Sequence, residues 1–369
     1  MRTSIYFHLP FPPGNLDMQY SIAFYIHHHG SGHIMRSIAI ARELKNCNIY
    51  FLGSDLSAYS GIIPHWINCL QLPMDTPMDG EYLPDYQPAA VALHYAPIGV
   101  EGQRKRVAMI TDFLSTVNPC LLVVDVSVEI AMLARLCGIP TIVVRQHGNR
   151  IDLPHKVAYR NAIGLLAPYG KELQSSDPKW MLDKTFFTGG FSRFSPQKDT
   201  SNIEDKTVAV LIGSGGSSID EGFVYHLAGT CVEWTFHIIG SGIPQENNLN
   251  YKNLFIHGNI ENPLPLLTSC RLIIGNSGHN TVMEAASLDK RFITIPEPRP
   301  FQEQLSKAEI LQMNNLATVV LPENMQKINW NLLLQETTKS TPEWGETISA
   351  SAISKAAQYI QQSAKRIWS

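Results

Sequence analysis

Arg271-Leu272-Ile273-Ile274-Gly275-Asn276-Ser277-Gly278-His279-Asn280-Thr281-Val282-Met283-Glu284 reads as a buried strand feeding a helix whose first turn is built to hold an anion. A helix that begins on Gly-His-Asn-Thr leaves backbone N–H groups unpaired at the positive end of its dipole, where a phosphate is stabilised. Glu284 stands further along that helix, too deep to cap it and well placed to accept hydrogen bonds from a sugar's hydroxyls. A phosphate and a diol together point to a nucleotide.

Outward from this stretch, short β-rich apolar runs alternate with amphipathic segments, the pattern of parallel sheets with crossover helices. In the first half the spacing predicts strands at 21–27, 49–52, 121–125, 141–145, 164–167 and 185–188, with helices at 34–44, 128–137 and 156–162. In the second half it predicts strands at 207–212, 235–239, 253–257, 271–275, 291–295 and 317–319, with helices at 263–268, 281–287, 301–312 and 330–338. Residues 54–118, broken by Pro64, Pro73, Pro77, Pro84, Pro88 and Pro97, read as loops and short elements of the kind that carry specificity.

The expected fold class is α/β, with two doubly wound Rossmann-like domains facing across a cleft. The first spans 20–191 on the acceptor side and the second 203–341 on the nucleotide side, divided at the polar stretch 192–205. Residues 342–369 form a terminal helix with Ile348, Ile353, Ala357, Ile360, Ala364 and Ile367 on one stripe. That stripe packs against the protein or touches a membrane surface, and its few cations favour the former. Residues 1–19, with Pro10, Pro12, Pro13 and Gly14, read as a disordered extension or as sequence ahead of a start at Met18.

The chain has 369 residues, more than the ~250–300 at which single cores stop growing. Its net charge of -3, with no basic run, argues against nucleic acid as a partner. Six scattered cysteines without a C-x-x-C pair fit reduced thiols in the cytoplasm rather than disulfides or zinc. No apolar run approaches the ~18 residues of a membrane span.

Ligands of doubly wound sheets bind outside the carboxyl ends of the strands, so the turns there carry the chemistry. In the first, Gly30-Ser31-Gly32-His33, two glycines allow a sharp bend and His33 begins a helix facing the cleft, a position suited to a general base or to mere packing. His27, His28 and His29 lack a carboxylate or thiol partner at metal spacing, so no metal site is expected. Arg36 is either a phosphate or carboxylate clamp or an ordinary surface ion-pair partner. Asp125 either orients a catalytic histidine or caps the next helix, a task for which Ser127 competes. The second turn, Gly213-Ser214-Gly215-Gly216-Ser217, contacts a phosphate or acceptor, or is a plain strand-to-helix connection; it lacks the lysine of a Walker sequence. Beyond the third turn, Glu303 and Gln304 open a helix at the cleft edge, where an acid and an amide suit a sugar's hydroxyls, although Glu303 also suits any helix start.

Taken together, Gly-Ser-Gly-His-Ile-Met-Arg-Ser at 30–37, Gly-Asn-Ser-Gly-His-Asn-Thr-Val-Met-Glu at 275–284, and Pro296 with Glu303-Gln304 resemble the GT-B glycosyltransferases. The chain is similar to the N-acetylglucosaminyltransferase of lipid II synthesis and to small-molecule UDP-glycosyltransferases, over most of 20–365. The resemblance implies that Gly278, Asn280 and Thr281 hold the nucleotide diphosphate, Glu284 the ribose, and Gln304 with Glu303 the transferred sugar. It also implies that 257–260, with Asn259 and Ile260, contact the base through backbone groups, and that His33 is the general base. The plant-type motif has His where this chain has Asn276, a departure at one phosphate contact.

The implied reaction is metal-independent transfer with inversion, from a donor that is substrate rather than cofactor, most simply a UDP-sugar, to a small-molecule, glycan or lipid-linked acceptor. Peripheral membrane contact accompanies the lipid-linked case. The Gly-x-Gly-His-x-x-Arg string also resembles UDP-sugar hydrolases, in which the same histidine activates water. A nucleotide-sugar binding protein without catalysis is the second alternative.

Overall fold

The computed structural model describes residues 20–28, 30–81, 83–84, 91–174, 177–196, 203–213, 215–244 and 251–368. The expected extension at 1–19, His29 and Ser214 lie outside the described residues.

The first half is a seven-stranded parallel sheet. Its strands are β1 (Ser21–Ile26), β2 (Asn48–Gly53), β3 (Asn68–Gln71), β4 (Cys120–Asp125), β5 (Thr141–Val144), β6 (Gly164–Ala167) and β7 (Thr185–Phe187), in the order β3-β2-β1-β4-β5-β6-β7. Four longer helices cross between them: α1 (Gly32–Glu43), α2 (Glu101–Thr116), α3 (Val128–Leu136) and α4 (Leu153–Asn161); α5 (Lys179–Leu182) is a single turn. The second half is a six-stranded parallel sheet of β8 (Thr207–Ile212), β9 (Thr235–Gly240), β10 (Leu254–Gly258), β11 (Leu272–Gly275), β12 (Arg291–Thr294) and β13 (Thr318–Val319), ordered β10-β9-β8-β11-β12-β13. Helices α6 (Glu221–Thr230), α7 (Leu264–Ser269), α8 (His279–Ser287), α9 (Glu303–Met313) and α10 (Trp330–Lys339) flank it, and α11 (Ala352–Trp368) ends the chain.

β1, β4 and β8 are buried at every position, as continuous apolar strands must be when helices cover both faces. Each sheet reverses its strand order once, between β1 and β4 and between β8 and β11. At these switch points neighbouring crossover helices lie on opposite faces, so the loops leaving the strands part and open a crevice.

Three of the longer helices differ from the sequence reading, and the short β3 and α5 fall where it placed no element. α2 runs sixteen residues through a region read as loops, because its buried stripe, Arg106, Ile110 and Leu114, includes an arginine that a hydrophobic period does not count. α6, capped by Asp220 on the Phe223 N–H at 2.8 Å, is apolar almost all round and hides its period. α11 begins at Ala352 rather than near Pro342, since Gly345 with φ 42 and a 3-10 turn at Gly345–Thr347 intervene.

α11 lies on the first half although it follows the second. Ala356, Ala357, Ile360 and Ala364 enter the core beneath α1, and Tyr359 stacks on Phe186 with ring centroids 4.5 Å apart. The stripe that the sequence offered to a membrane is therefore covered by protein, apart from Ile367. Among the described residues, no helix is long and apolar enough to cross a membrane. Ile360→Ala removes a fully buried side chain and is expected to cost about 2–5 kcal/mol, whereas Ile367→Ala, 37% exposed, changes little. Urea unfolding of the two variants side by side checks this contrast.

Candidate active site

At the first switch point, the chain leaves β1, turns at Gly30 with φ 77 and enters α1, whose start has no side-chain cap. Asp125 ends β4 directly beside Ile26 in the ladder, so the topology alone brings it to α1. Its carboxylate accepts from Arg36 Nη2 at 2.6 and 2.8 Å and lies 3.2 Å from His33 Nδ1. Burial pushes the Asp125 pKa up, but the charges of Arg36 and His33 outweigh it and hold the carboxyl far below its usual range. Arg36 is thus an ion-pair partner, as one of its two readings had it, but a buried one, engaged by the Asp125 carboxylate. Asp125 does not cap α3, because Ser127 Oγ accepts the Ile130 N–H at 3.2 Å.

Arg36 reaches Asp125 through Nε at 3.2 Å and through Nη2, which also sits 3.1 Å from His33 Nδ1. In the tautomer whose Nδ1–H points at Asp125, 3.2 Å away, the Nε2 lone pair is free to take a proton. His33, with a ring 16% exposed, has the orientation of a general base.

The opposing wall is the start of α8, which also lacks a side-chain cap. Asn276 turns inward: its Oδ1 accepts the Gly278 N–H at 3.0 Å and the Thr281 hydroxyl at 3.4 Å, shaping the turn rather than reaching outward. A Cβ built on Gly32 would stand 3.0 Å from Asn280 Nδ2, so the two helix starts face each other closely. Gln304 accepts the Glu297 N–H at 2.9 Å, and its Nε2 lies 3.9 Å from where a Gly278 Cβ would be.

Two candidate donor residues are already paired. Glu284 Oε1 meets Arg193 Nε at 2.9 Å; burial raises its pKa and Arg193 partly offsets this. Glu303 Oε2 meets Arg150 Nη2 at 3.0 Å, beside a hydrogen bond from Asn149 N–H to the Phe301 carbonyl at 2.7 Å. Gly148, with φ 98, could carry no side chain against that carbonyl, and Phe301 and Gln302 are both left-handed at φ 60 and 56. These contacts latch the first half to the second. Asn259 is exposed and Ile260 half-buried just past β10. Arg299 Nη2 holds the Gly215 and Gly216 carbonyls at 2.6 and 2.8 Å, while Glu297 accepts from Ser217 and Ser218.

Arg150, Arg193, Glu297 and Arg299 escaped the sequence reading. Each sits in a loop and gains its role from a partner distant in sequence. His94, Asp152 and His155 have the donor set of a two-histidine, one-carboxylate metal site. Yet His155 Nε2 accepts a hydrogen bond from Arg150 Nη1 at 3.2 Å, so its Nδ1 donates to Asp152 at 2.7 Å; the cluster is engaged in hydrogen bonds with an arginine beside it.

Asp125→Asn leaves buried Arg36 without its counter-charge and should destabilise the fold by about 3–5 kcal/mol near pH 7. Because the folded-state pKa is depressed, this stabilisation is full above the unfolded value of about 4 and fades as pH falls below it, so the wild type and the variant converge in acid. Urea unfolding from pH 7 to pH 3 reads the convergence.

The model of the glycosyltransferase family 28 C-terminal domain matches residues 208–363. No curated protein matches the chain. Among solved structures, it resembles MurG from Acinetobacter baumannii at 16% identity and TM-score 0.58, over 95% of this chain and 99% of that one. It resembles a UDP-glucosyltransferase from Polygonum tinctorium, capable of glucosylating indoxyl, at 13% identity and TM-score 0.62, over 96% of each chain. A spinosyn rhamnosyltransferase complexed with thymidine diphosphate aligns at 13% identity and TM-score 0.59, over 94% of this chain and 96% of that one. The chain has the GT-B glycosyltransferase fold, and residues 208–363 within it resemble the glycosyltransferase family 28 C-terminal domain.

Proposed function

We propose that the protein transfers a sugar from a nucleotide diphosphate donor, most simply a UDP-sugar, to an acceptor bound by the first half. The observation that carries this reading is the close opposition of two uncapped helix starts, one bearing the His33–Asp125 couple and the other the Gly278–Thr281 turn. The donor's diphosphate sits on the N–H groups of α8, with Glu284 and Arg193 at the ribose and Gln304 at the sugar. His33 Nε2 takes the proton of an acceptor hydroxyl as its oxygen attacks the anomeric carbon. The bond to the diphosphate then breaks, and its electron pair goes to the phosphate oxygen held by α8. Base and leaving group stand on opposite walls, which suits inversion, and the helix dipole with nearby cations takes the charge-stabilising part that a metal plays elsewhere.

Met74, Met78, Val91, Tyr95 and Ile98 are exposed in the first-half segment of 74–98, as are Ile62 and Trp66 ahead of it, and they favour an apolar acceptor or a lipid-linked one met at a membrane surface. All six cysteines are free, in keeping with a reducing, cytoplasmic setting.

A panel of nucleotide-sugars with and without candidate acceptors, read by mass spectrometry, tests the reading. Glycosylated acceptor is expected; stoichiometric nucleotide release that no acceptor accelerates would show a hydrolase instead. His33→Ala is expected to lower turnover by about 10²–10⁴ while donor affinity stays nearly intact. Turnover unchanged in that variant would remove His33 from the chemistry.

A further inference from the structure

Three buried cations stand around the two helix starts: Arg36, Arg150 and Lys307. Arg36 is matched by Asp125 and Arg150 by Glu303. Lys307 is 1% exposed, and no hydrogen bond or ion pair reaches its ammonium among the described residues. Glu303 attracts it only from a distance, while Arg36 and Arg150 repel it; burial above all pulls its pKa down to about 8. An isolated ammonium so placed is costly until an anion arrives.

Its position indicates which anion. Gln304, Lys307, Ala308 and Leu311 form the buried face of α9, and Gln304 on that face points at Gly278. Lys307 is close enough to the first turn of α8 that its charge helps to keep His279 neutral. An unmatched buried cation and an uncapped helix start therefore converge on one place from two elements.

We propose that Lys307 is a donor-binding residue whose ammonium is the counter-charge to the donor's diphosphate, completing an anion seat begun by the backbone of α8. The assignment rests on the nucleotide-sugar reading above and adds to it the residue that neutralises the leaving group.

Calorimetric titration of wild type, Lys307→Met and Lys307→Gln with UDP, uridine and inorganic pyrophosphate, beside thermal unfolding of each, tests it. Both variants should bind UDP and pyrophosphate on the order of 10- to 100-fold more weakly, with uridine unaffected. Their unliganded melting temperatures should equal or exceed that of wild type, since an unpaired buried charge has been removed. Folded variants that bind UDP and pyrophosphate as wild type does overturn the assignment alone, and so does a loss confined to UDP-glucuronic acid relative to UDP-glucose, which would place Lys307 at a sugar carboxylate. Melting temperatures lowered in both variants with pyrophosphate affinity intact would also overturn it, in favour of a structural lysine. Lys307-dependent binding of pyrophosphate by a wild type that binds no UDP overturns the nucleotide-sugar reading and leaves the anion seat standing.

Discussion

The buried contact of Arg36 with Asp125 is the constraint on which the His33 wall of the cleft depends. A carboxylate at the end of a fully buried strand is tolerable only with a matched cation, and the switch point between β1 and β4 supplies one from the first turns of α1. That pair ties the first turns of α1 to the end of β4 and holds the Asp125 carboxylate 3.2 Å from His33 Nδ1. Stability and reactivity here share the same atoms: the pair that keeps the strand end folded also aims the imidazole.

The opposing half solves a different problem with different means. Its helix start carries no carboxylate, and the turn is held by Asn276, a neutral side chain that folds back on the Gly278 N–H. One wall thus keeps an anion of its own and the other waits for one. On α9, Lys307 is buried without an ion-pair partner among the described residues, whereas Arg145 and Arg150 are each matched by a carboxylate.

Both sheets were legible from the chain apart from the mostly exposed edge strand β3, because buried parallel strands read as unbroken apolar runs and the glycine turns mark their carboxyl ends. The donor turn at 275–284 and the His33 turn were legible for the same reason, as local strand-turn-helix chemistry. What could not be read were pairings across large sequence distance. Nothing around Arg193 announces Glu284, nothing around Arg150 announces Glu303, and Asp125 and Ser127 both suit a cap until geometry chooses Ser127. α2 was hidden because the first residue of its buried stripe is Arg106, whose guanidinium bonds Ser54 at 2.8 Å rather than packing as an aliphatic would.

The return of α11 to the first half means that the chain crosses between the halves twice. The two crossings touch, since Gly190 N–H donates to the Thr347 carbonyl at 2.8 Å and Ser349 N–H to the Gly190 carbonyl at 2.9 Å. Two tethers bonded side by side behave as the paired leaves of one hinge: they resist twisting and sliding but leave a swing about the line that joins them. Such a swing moves the latch at Arg150 and Glu303 far more than it moves the tethers. A swing wide enough to admit a bulky ligand would part both contacts of that latch, the Arg150–Glu303 pair and the Asn149 to Phe301 hydrogen bond, while the backbone crossing stays intact.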